Sequence, residues 1–392
     1  MSVSPSRSLP WALIGAACLG SFAATSSGTT RAPFLLEMSR DLGVAMPLVA
    51  NLVSLTATAW GITSALGGWM SDVIGRRSIL IAAPFALALT LVAQAAAGSF
   101  FWVAVWAAVG GGCAGAFTGV IFAEVSARVL DSQRGRALGW VMSGQSLTLV
   151  VGIPLAAAVG AIIGWRGWLL CVAGLSVAAV LSLYLTLGRG GAAGHTRGAA
   201  QRPSMRSALS PRVLGLLGTG VAERICYGLA VVYFATFMQV TYHMTLLELA
   251  LPLVVFALGN VAGTLLGGQL ADRVRDRLLT FAVAMALSGV AALLLFTWHP
   301  GPFVSVAVGF VYVLLNALGR PSYMASLASV PEDVRGTVLG LNGTSASVGW
   351  IGAAALGAVM IGWGGFEGFG PLIALLALLG AVGALLSRRS RS

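Results

Sequence analysis

GGWMSDVIGRR at 67–77 and GGQLADRVRDR at 267–277 repeat one pattern 200 residues apart. Gly67, Gly68, Asp72 and Arg77 align with Gly267, Gly268, Asp272 and Arg277. Each copy follows a long apolar stretch and precedes another, so each reads as a short charged turn between two membrane-crossing segments. A second echo, RGRALG at 134–139 and RGTVLG at 335–340, has an offset of 201. A chain that repeats itself at half its length, in the same kind of loop, implies two related halves. In membranes, such repeats build transporters around a central site.

The composition agrees. Charged residues make up 9% of the chain and hydrophobic ones 58%, whereas a soluble domain carries about 25% charged residues. This chain cannot cover itself with a water-facing surface. A membrane-crossing helix needs about 20 mostly apolar residues, and hydropathy with turn signals predicts twelve of them. In the first half they lie near 10–32, 46–69, 78–98, 100–124, 137–162 and 167–188 (spans 1 to 6). In the second half they lie near 212–238, 246–269, 278–297, 302–326, 337–362 and 369–387 (spans 7 to 12). The expected fold is an all-α polytopic membrane protein with twelve transmembrane helices in two pseudo-symmetric six-helix bundles. Residues 1–188 form the first bundle and 212–392 the second. The stretch 189–211, rich in Gly, Ala, Ser and Arg, is a cytoplasmic linker between them. The N-terminus, with one Arg before an apolar run and small residues, also fits a signal peptide. Its apolar character runs on to Phe34, which favours a retained first span.

The net charge of +11 forms no basic cluster clear of the apolar spans, so it calls for no nucleic acid. It follows topology instead. Every basic residue is Arg, and with the N-terminus inside, 18 of the 23 fall in cytoplasmic segments. Only Arg31, Arg40 and Arg166 fall in outer loops, and Arg224 and Arg320 lie within spans. That asymmetry follows the positive-inside rule and places both termini in the cytoplasm. The cysteines (Cys18, Cys113, Cys171, Cys226) lie in apolar segments without paired spacing, so neither a disulfide framework nor a metal site is expected. His195, His243 and His299 are scattered over loops and span ends. There is no phosphate loop, no nucleophile–base pair and no metal-ligand spacing, which points away from enzymes, cofactors and ATP-driven pumps.

Each residue of the duplicated turn has a physical use. Gly67 and Gly68 let helices approach closely. Asp72 suits the N-terminus of the following helix, or an arginine partner. Gly75 permits a sharp turn, and Arg76 and Arg77 meet the anionic cytoplasmic leaflet. The run Gly68, Asp72, Gly75, Arg76 and Arg77 is similar to the loop 2–3 signature of the major facilitator superfamily. Gly268, Asp272 and Arg273 resemble its loop 8–9 counterpart. GQSLTLVVGIPLAAAVG in span 5, with Gly152 and Pro154, resembles the Gly/Pro-rich span of the twelve-helix drug/proton antiporters. VPEDVRGTVLGLNGTSASVG at 330–349 resembles the loop 10–11 region of arabinose-efflux-type permeases. The resemblance implies two bundles that rock around a midplane site in the inner membrane, working as a monomer. In that scheme the Asp72 loop latches the cytoplasmic face. It also implies export of a small organic solute or drug in exchange for protons. The alternative is an uptake permease or uniporter for a sugar, nucleoside or organic anion. From a different class, a non-transporting membrane sensor would share the fold.

The chain departs from the family pattern in several places. Val73 replaces a basic residue, Arg275 and Asp276 stand in glycine and arginine places, and Ala156 replaces a span 5 glycine. Trp106, four residues before Gly110, stands where the antiporters carry the span 4 arginine tied to proton handling.

Ionisable groups within spans cost about 2.5–3.5 kcal/mol each on insertion scales, and so mark function. Glu223 lies about 16 Å into span 7, near the middle of a core roughly 30 Å thick. Arg224 and Tyr227 accompany it, with Tyr227 one turn on. Either the group forms the substrate and proton site, or Glu223 and Arg224 neutralise each other as a structural pair. Arg320 in span 10 either joins the site or snorkels to the cytoplasmic interface, with Asn316 one turn deeper. Gln145, Asn260 and Asn342 are further candidates for the site or for interhelical hydrogen bonds. Ser21, Thr25 and Thr29 form a polar stripe on span 1. Tyr233, Phe234 and Phe237 either line an apolar cavity or pack toward lipid, and lipid-facing packing is the expectation. Glu124 and Arg128, four apart at the inner end of span 4, are expected to pair as a conformational lock.

Overall fold

The computed structural model describes residues 10–187, 210–327, 329 and 332–389, and these are helical without a strand. Among them, nine stretches are long and apolar enough to cross a membrane. Two of these, Arg136–Thr186 and Leu341–Arg388, hold two helices each, and the helix Trp11–Thr29 completes twelve. In the first half, Trp11–Thr29, Leu52–Ile74, Arg76–Ala96 and Phe100–Ala127 are spans 1 to 4. Spans 5 and 6 are 131–163 and 165–186, parted at Gly164, whose φ of +71° turns the chain. Pro211–Tyr242, Ala250–Arg273, Arg277–Thr297, Pro302–Leu327, Glu332–Gly364 and Phe369–Arg389 are spans 7 to 12.

The predicted spans are all present, and the differences lie at their ends. Span 2 begins at Leu52, because Met46–Ala50 forms a separate short helix. It runs on to Ile74, so the backbone of Asp72 sits in its last turn and not at the start of span 3. Gly75, at φ +88°, is the break and the residue that precedes span 3. In the second copy the cap is Asp276, whose Oδ1 accepts the Leu279 N–H at 3.0 Å. A carboxylate there also meets the positive end of the span 9 helix. Within span 5, Thr148–Gly152 forms a π-helical turn just before Pro154. Proline supplies no N–H to the carbonyl four residues back and crowds it, and the wider turn absorbs both effects. There the Thr148 hydroxyl reaches the Phe22 carbonyl and the Ser26 hydroxyl of span 1, each at 3.3 Å.

The chain forms two compact units, Met1–Ala199 and Ala200–Ser392. The expected linker, apart from Ser210 and Pro211, lies outside the described residues. In each unit a helix pair is packed backbone to backbone along a row of three glycines. Gly111, Gly115 and Gly119 of span 4 sit against the carbonyls of Thr56, Trp60 and Ser64 of span 2. In the second unit the glycines are on the other partner: Gly259, Gly263 and Gly267 of span 8 sit against Phe310, Leu314 and Leu318 of span 10. Small residues at every fourth position allow this approach, which dispersion then rewards.

Tyr233, Phe234 and Phe237 do not face outward as expected. They are 0%, 1% and 0% exposed and pack against Phe369, Phe256 and Phe296. Span 7 threads the interior of its unit, so apolarity around its whole circumference signals protein on all sides, not lipid.

Candidate functional site

Glu223 stands twelve residues into span 7, with its side chain 3% exposed. Its Oε1 accepts from Arg320 Nε at 2.7 Å, and its Oε2 lies 3.5 Å from Arg224 Nε. Arg320 is therefore the principal partner, and it does not snorkel. Its other two nitrogens donate to Asn260 Oδ1 at 3.0 Å and Asn316 Oδ1 at 2.8 Å. Its guanidinium lies over the Tyr227 ring, 3.8 Å from the centroid. Spans 7, 8 and 10 thus converge on one buried ion pair in which each guanidinium nitrogen of Arg320 has an acceptor, as burial of that group favours. Charge-assisted bonds and a cation–π contact reinforce one another there. The next residue, Pro321, lies inside the helix and leaves the carbonyl four residues back without its donor, a local break beside the arginine.

Tyrosines fix the scaffold around this pair. The Tyr312 hydroxyl donates to the Cys226 carbonyl at 2.6 Å. The Tyr233 hydroxyl donates to the Ala354 carbonyl at 2.9 Å. That of Tyr323 lies within reach of the Leu216 carbonyl and of Asn342 Oδ1, at 3.1 and 3.2 Å. Asn342 therefore braces a helix contact apart from the ion pair. Gln145 is half-buried in the other unit and makes no side-chain hydrogen bond among the described residues. The Thr25 and Thr29 hydroxyls bond back to carbonyls of their own helix, so the span 1 stripe is largely self-satisfied.

At the end of the first unit that holds the duplicated turn, Glu124 and Arg128 pair as expected, with Nε donating to Oε1 at 2.7 Å. Arg76 adds a second cation 3.8 Å from Glu124 Oε2, and Arg128 also donates to the Leu187 carbonyl at 3.3 Å. Arg77 lies over the Tyr184 ring. The side chain of Asp72, with Gly68, lies outside the described residues. In the second copy Asp272 and Arg273 are exposed and make no ion pair or hydrogen bond among the described residues. Arg388 pairs instead with the capping Asp276, at 2.5 Å.

Two features escaped the sequence reading. Arg31, expected as an outer-loop charge, is 3% exposed. It donates to Thr56 Oγ1 at 3.1 Å and Gln94 Oε1 at 2.9 Å, tying together spans 1, 2 and 3. It follows the C-terminus of span 1, where the helix dipole favours a cation. The second feature is a knot around Trp165 and Arg166. Asp41 Oδ2 accepts from Arg166 NH2 at 2.8 Å and from the Trp165 indole at 3.1 Å. Arg166 also donates to the Ala95 and Ala97 carbonyls. Glu37 accepts the Trp165 backbone N–H at 3.2 Å, and burial, with Asp41 adding its charge, raises its carboxyl above the usual range. The carboxylates of LEMSRD at 36–41 opposite WR at 165–166 were the available signal.

Two buried guanidiniums held within helical units, and a turn repeated in both halves, are the features to set beside known proteins. The profile described as the Major Facilitator Superfamily matches residues 17–273 and 216–392. The chain belongs to the major facilitator superfamily. It is 27% identical over 312 residues to the chloramphenicol resistance protein of Streptomyces lividans, covering 76% of this chain and 79% of that one. It is 26% identical over 366 residues to the inner membrane transport protein YdhP of Escherichia coli K12, covering 88% and 92%. A bacterial homologue of the human lysosomal transporter Spinster shares the fold, with a TM-score of 0.78 at 14% identity over 98% of each chain. The chain is a multi-pass membrane protein of this superfamily.

Proposed function

We propose that the chain is a secondary transporter of the cytoplasmic membrane, with both termini inside, working as a monomer. It exports a small organic solute or drug by alternating access in exchange for protons. The observation that carries this reading is the Glu223–Arg320 pair. Glu223 is the only carboxylate well inside a span, and it is bound to an arginine whose other two nitrogens donate to Asn260 on span 8 and Asn316 on span 10. Protonating Glu223 removes half of that pair and leaves a buried cation, so proton occupancy is coupled to how spans 7, 8 and 10 hold together. Such a pair supplies a coupling group where the family's span 4 arginine is replaced by Trp106. The Glu124 cluster with Arg76 and Arg128 acts as the cytoplasmic lock, together with the Asp72 turn. Drug export finds support in the Streptomyces relative, a chloramphenicol resistance protein.

The test is solute-driven proton movement in proteoliposomes carrying a pH-sensitive dye, with a panel of chloramphenicol, nucleosides and organic acids. Glu223→Gln is expected to exchange solute down its gradient but no longer to concentrate it with a pH difference. Undiminished concentration by that variant overturns the coupling role. Trp106 in the place of the arginine also favours a second reading, an uptake permease or uniporter. It predicts solute flux in wild-type vesicles with no proton movement.

A further inference from the structure

We propose that Arg224 is an anion-binding residue, and that the solute this chain carries is an organic monoanion with a carboxylate or sulfonate head. The inference rests on the transport reading for the solute's passage, but the binding site stands on its own geometry. Away from the end turns, the spans of the second unit hold two guanidiniums, Arg224 and Arg320, and one carboxylate, Glu223. One positive charge is left over at a depth where an uncompensated charge is expensive.

The surplus belongs to Arg224. Arg320 gives one nitrogen to Glu223 and one each to Asn260 and Asn316, and its face covers Tyr227. Arg224 touches Glu223 only at 3.5 Å and makes no hydrogen bond among the described residues. Its side chain is 29% exposed, against 14% for Arg320 and 3% for Glu223. A guanidinium has five N–H donors in a planar fork. Here the fork is largely unspent, and it is reachable from outside the packed core of its unit. A charge at that depth facing lipid would be strongly disfavoured, so it faces a water-filled path.

The stem of Arg224 is held in place. Its Cβ packs against Gly349 of span 11 so closely that any side chain at 349 would run into it. Beside it, Trp350 lies edge-on to Tyr227 at 6.0 Å. A donor-rich fork whose helix packs against the one that carries Trp350 suits a flat anion with an apolar body: the proposed pose has the head gripped bidentately and the ring on the side of Trp350.

The experiment uses the purified full chain in phosphatidylcholine nanodiscs, so that no anionic lipid competes. Thermal stability is followed against benzoate, indole-3-acetate and benzenesulfonate, each beside its neutral amide. The anions are expected to raise the melting temperature of wild type and the amides to leave it unchanged. Arg224→Gln is expected to fold, with a melting temperature at or above that of the ligand-free wild type, since it removes the surplus charge. It is also expected to weaken anion binding by about tenfold or more, the loss of one charge-assisted contact. Arg224→Lys, which keeps the charge but not the fork, falls between. Equal shifts from anions and amides, no shift from any anion, or an Arg224→Gln protein that binds anions as wild type does, each overturn the proposal. Anion binding without flux in proteoliposomes leaves the site standing and defeats the transport reading. Flux of neutral solutes without anion preference does the reverse.

Discussion

Glu37 shows what one residue can report. Its Oε1 accepts the Trp165 N–H while its Oε2 is buried with no hydrogen-bond partner among the described residues, and burial together with Asp41 raises its pKa above 4.5. An acid whose folded pKa exceeds its unfolded one binds its proton more tightly in the folded state. Its contribution to stability is therefore present at low pH and is lost as pH rises through the window just above 4.5. Glu37→Gln is expected to flatten the pH dependence of the melting temperature in that window. At pH 7 it should be at least as stable as wild type, and a variant that keeps the wild-type slope contradicts this origin. At this scale the sequence was only partly legible. The depth of Glu223 followed from counting along one helix, and Arg320, Asn260 and Asn316 could each be singled out as polar groups in apolar runs. Their convergence could not, because Arg320 and Glu223 lie 97 residues apart and only helix packing brings them together. Arg31 was misread for a similar reason. The apolar run ends at Thr-Thr-Arg-Ala-Pro, which looks like a loop, and its acceptors Thr56 and Gln94 come from other helices.

Among the elements, the glycine rows set the closest helix contacts. A Cβ at Gly115 would strike the Trp60 carbonyl and the Thr63 hydroxyl, neither of which has room to give. Gly115→Ala is expected to destabilise by about 1–3 kcal/mol, the usual cost of overfilling a packed contact. It should show as a lowered melting temperature and a poorer yield of monodisperse protein. Gly174→Ala, with nothing within 4 Å of the added methyl, is the matched control and is expected to be tolerated. Equal effects from the two would refute the packing argument. Span number and order were readable from apolar length alone, because backbone groups in lipid must be satisfied within the helix. Helix ends were not, since a cap depends on local backbone angles. Asp72 was expected at the threshold of the following helix, or beside an arginine. The observed cap is Asp276, four residues beyond Asp272 and at a position where the two copies differ.

For the whole molecule, repetition survives as geometry more than as residues. Each unit keeps an intimate pair, spans 2 and 4 in the first and spans 8 and 10 in the second. The glycines belong to span 4 in one and to span 8 in the other. The halves are thus like two joints cut from the same drawing with socket and peg exchanged, and their parts do not interchange one at a time. Grafting span 10 in place of span 4 would press Phe310, Leu314 and Leu318 onto Thr56, Trp60 and Ser64, bulk against bulk. The reciprocal graft would set glycine against glycine and leave a void. Both single grafts are expected to fail to yield folded protein, judged by size-exclusion profile in detergent. Exchanging spans 8 and 10 together for spans 2 and 4 keeps each socket with its own peg, and should recover the packing that either single graft loses. Each pair is complementary within itself, although the helix that supplies the glycines differs between the two units. The unit that carries its own fit in such a chain is the helix pair.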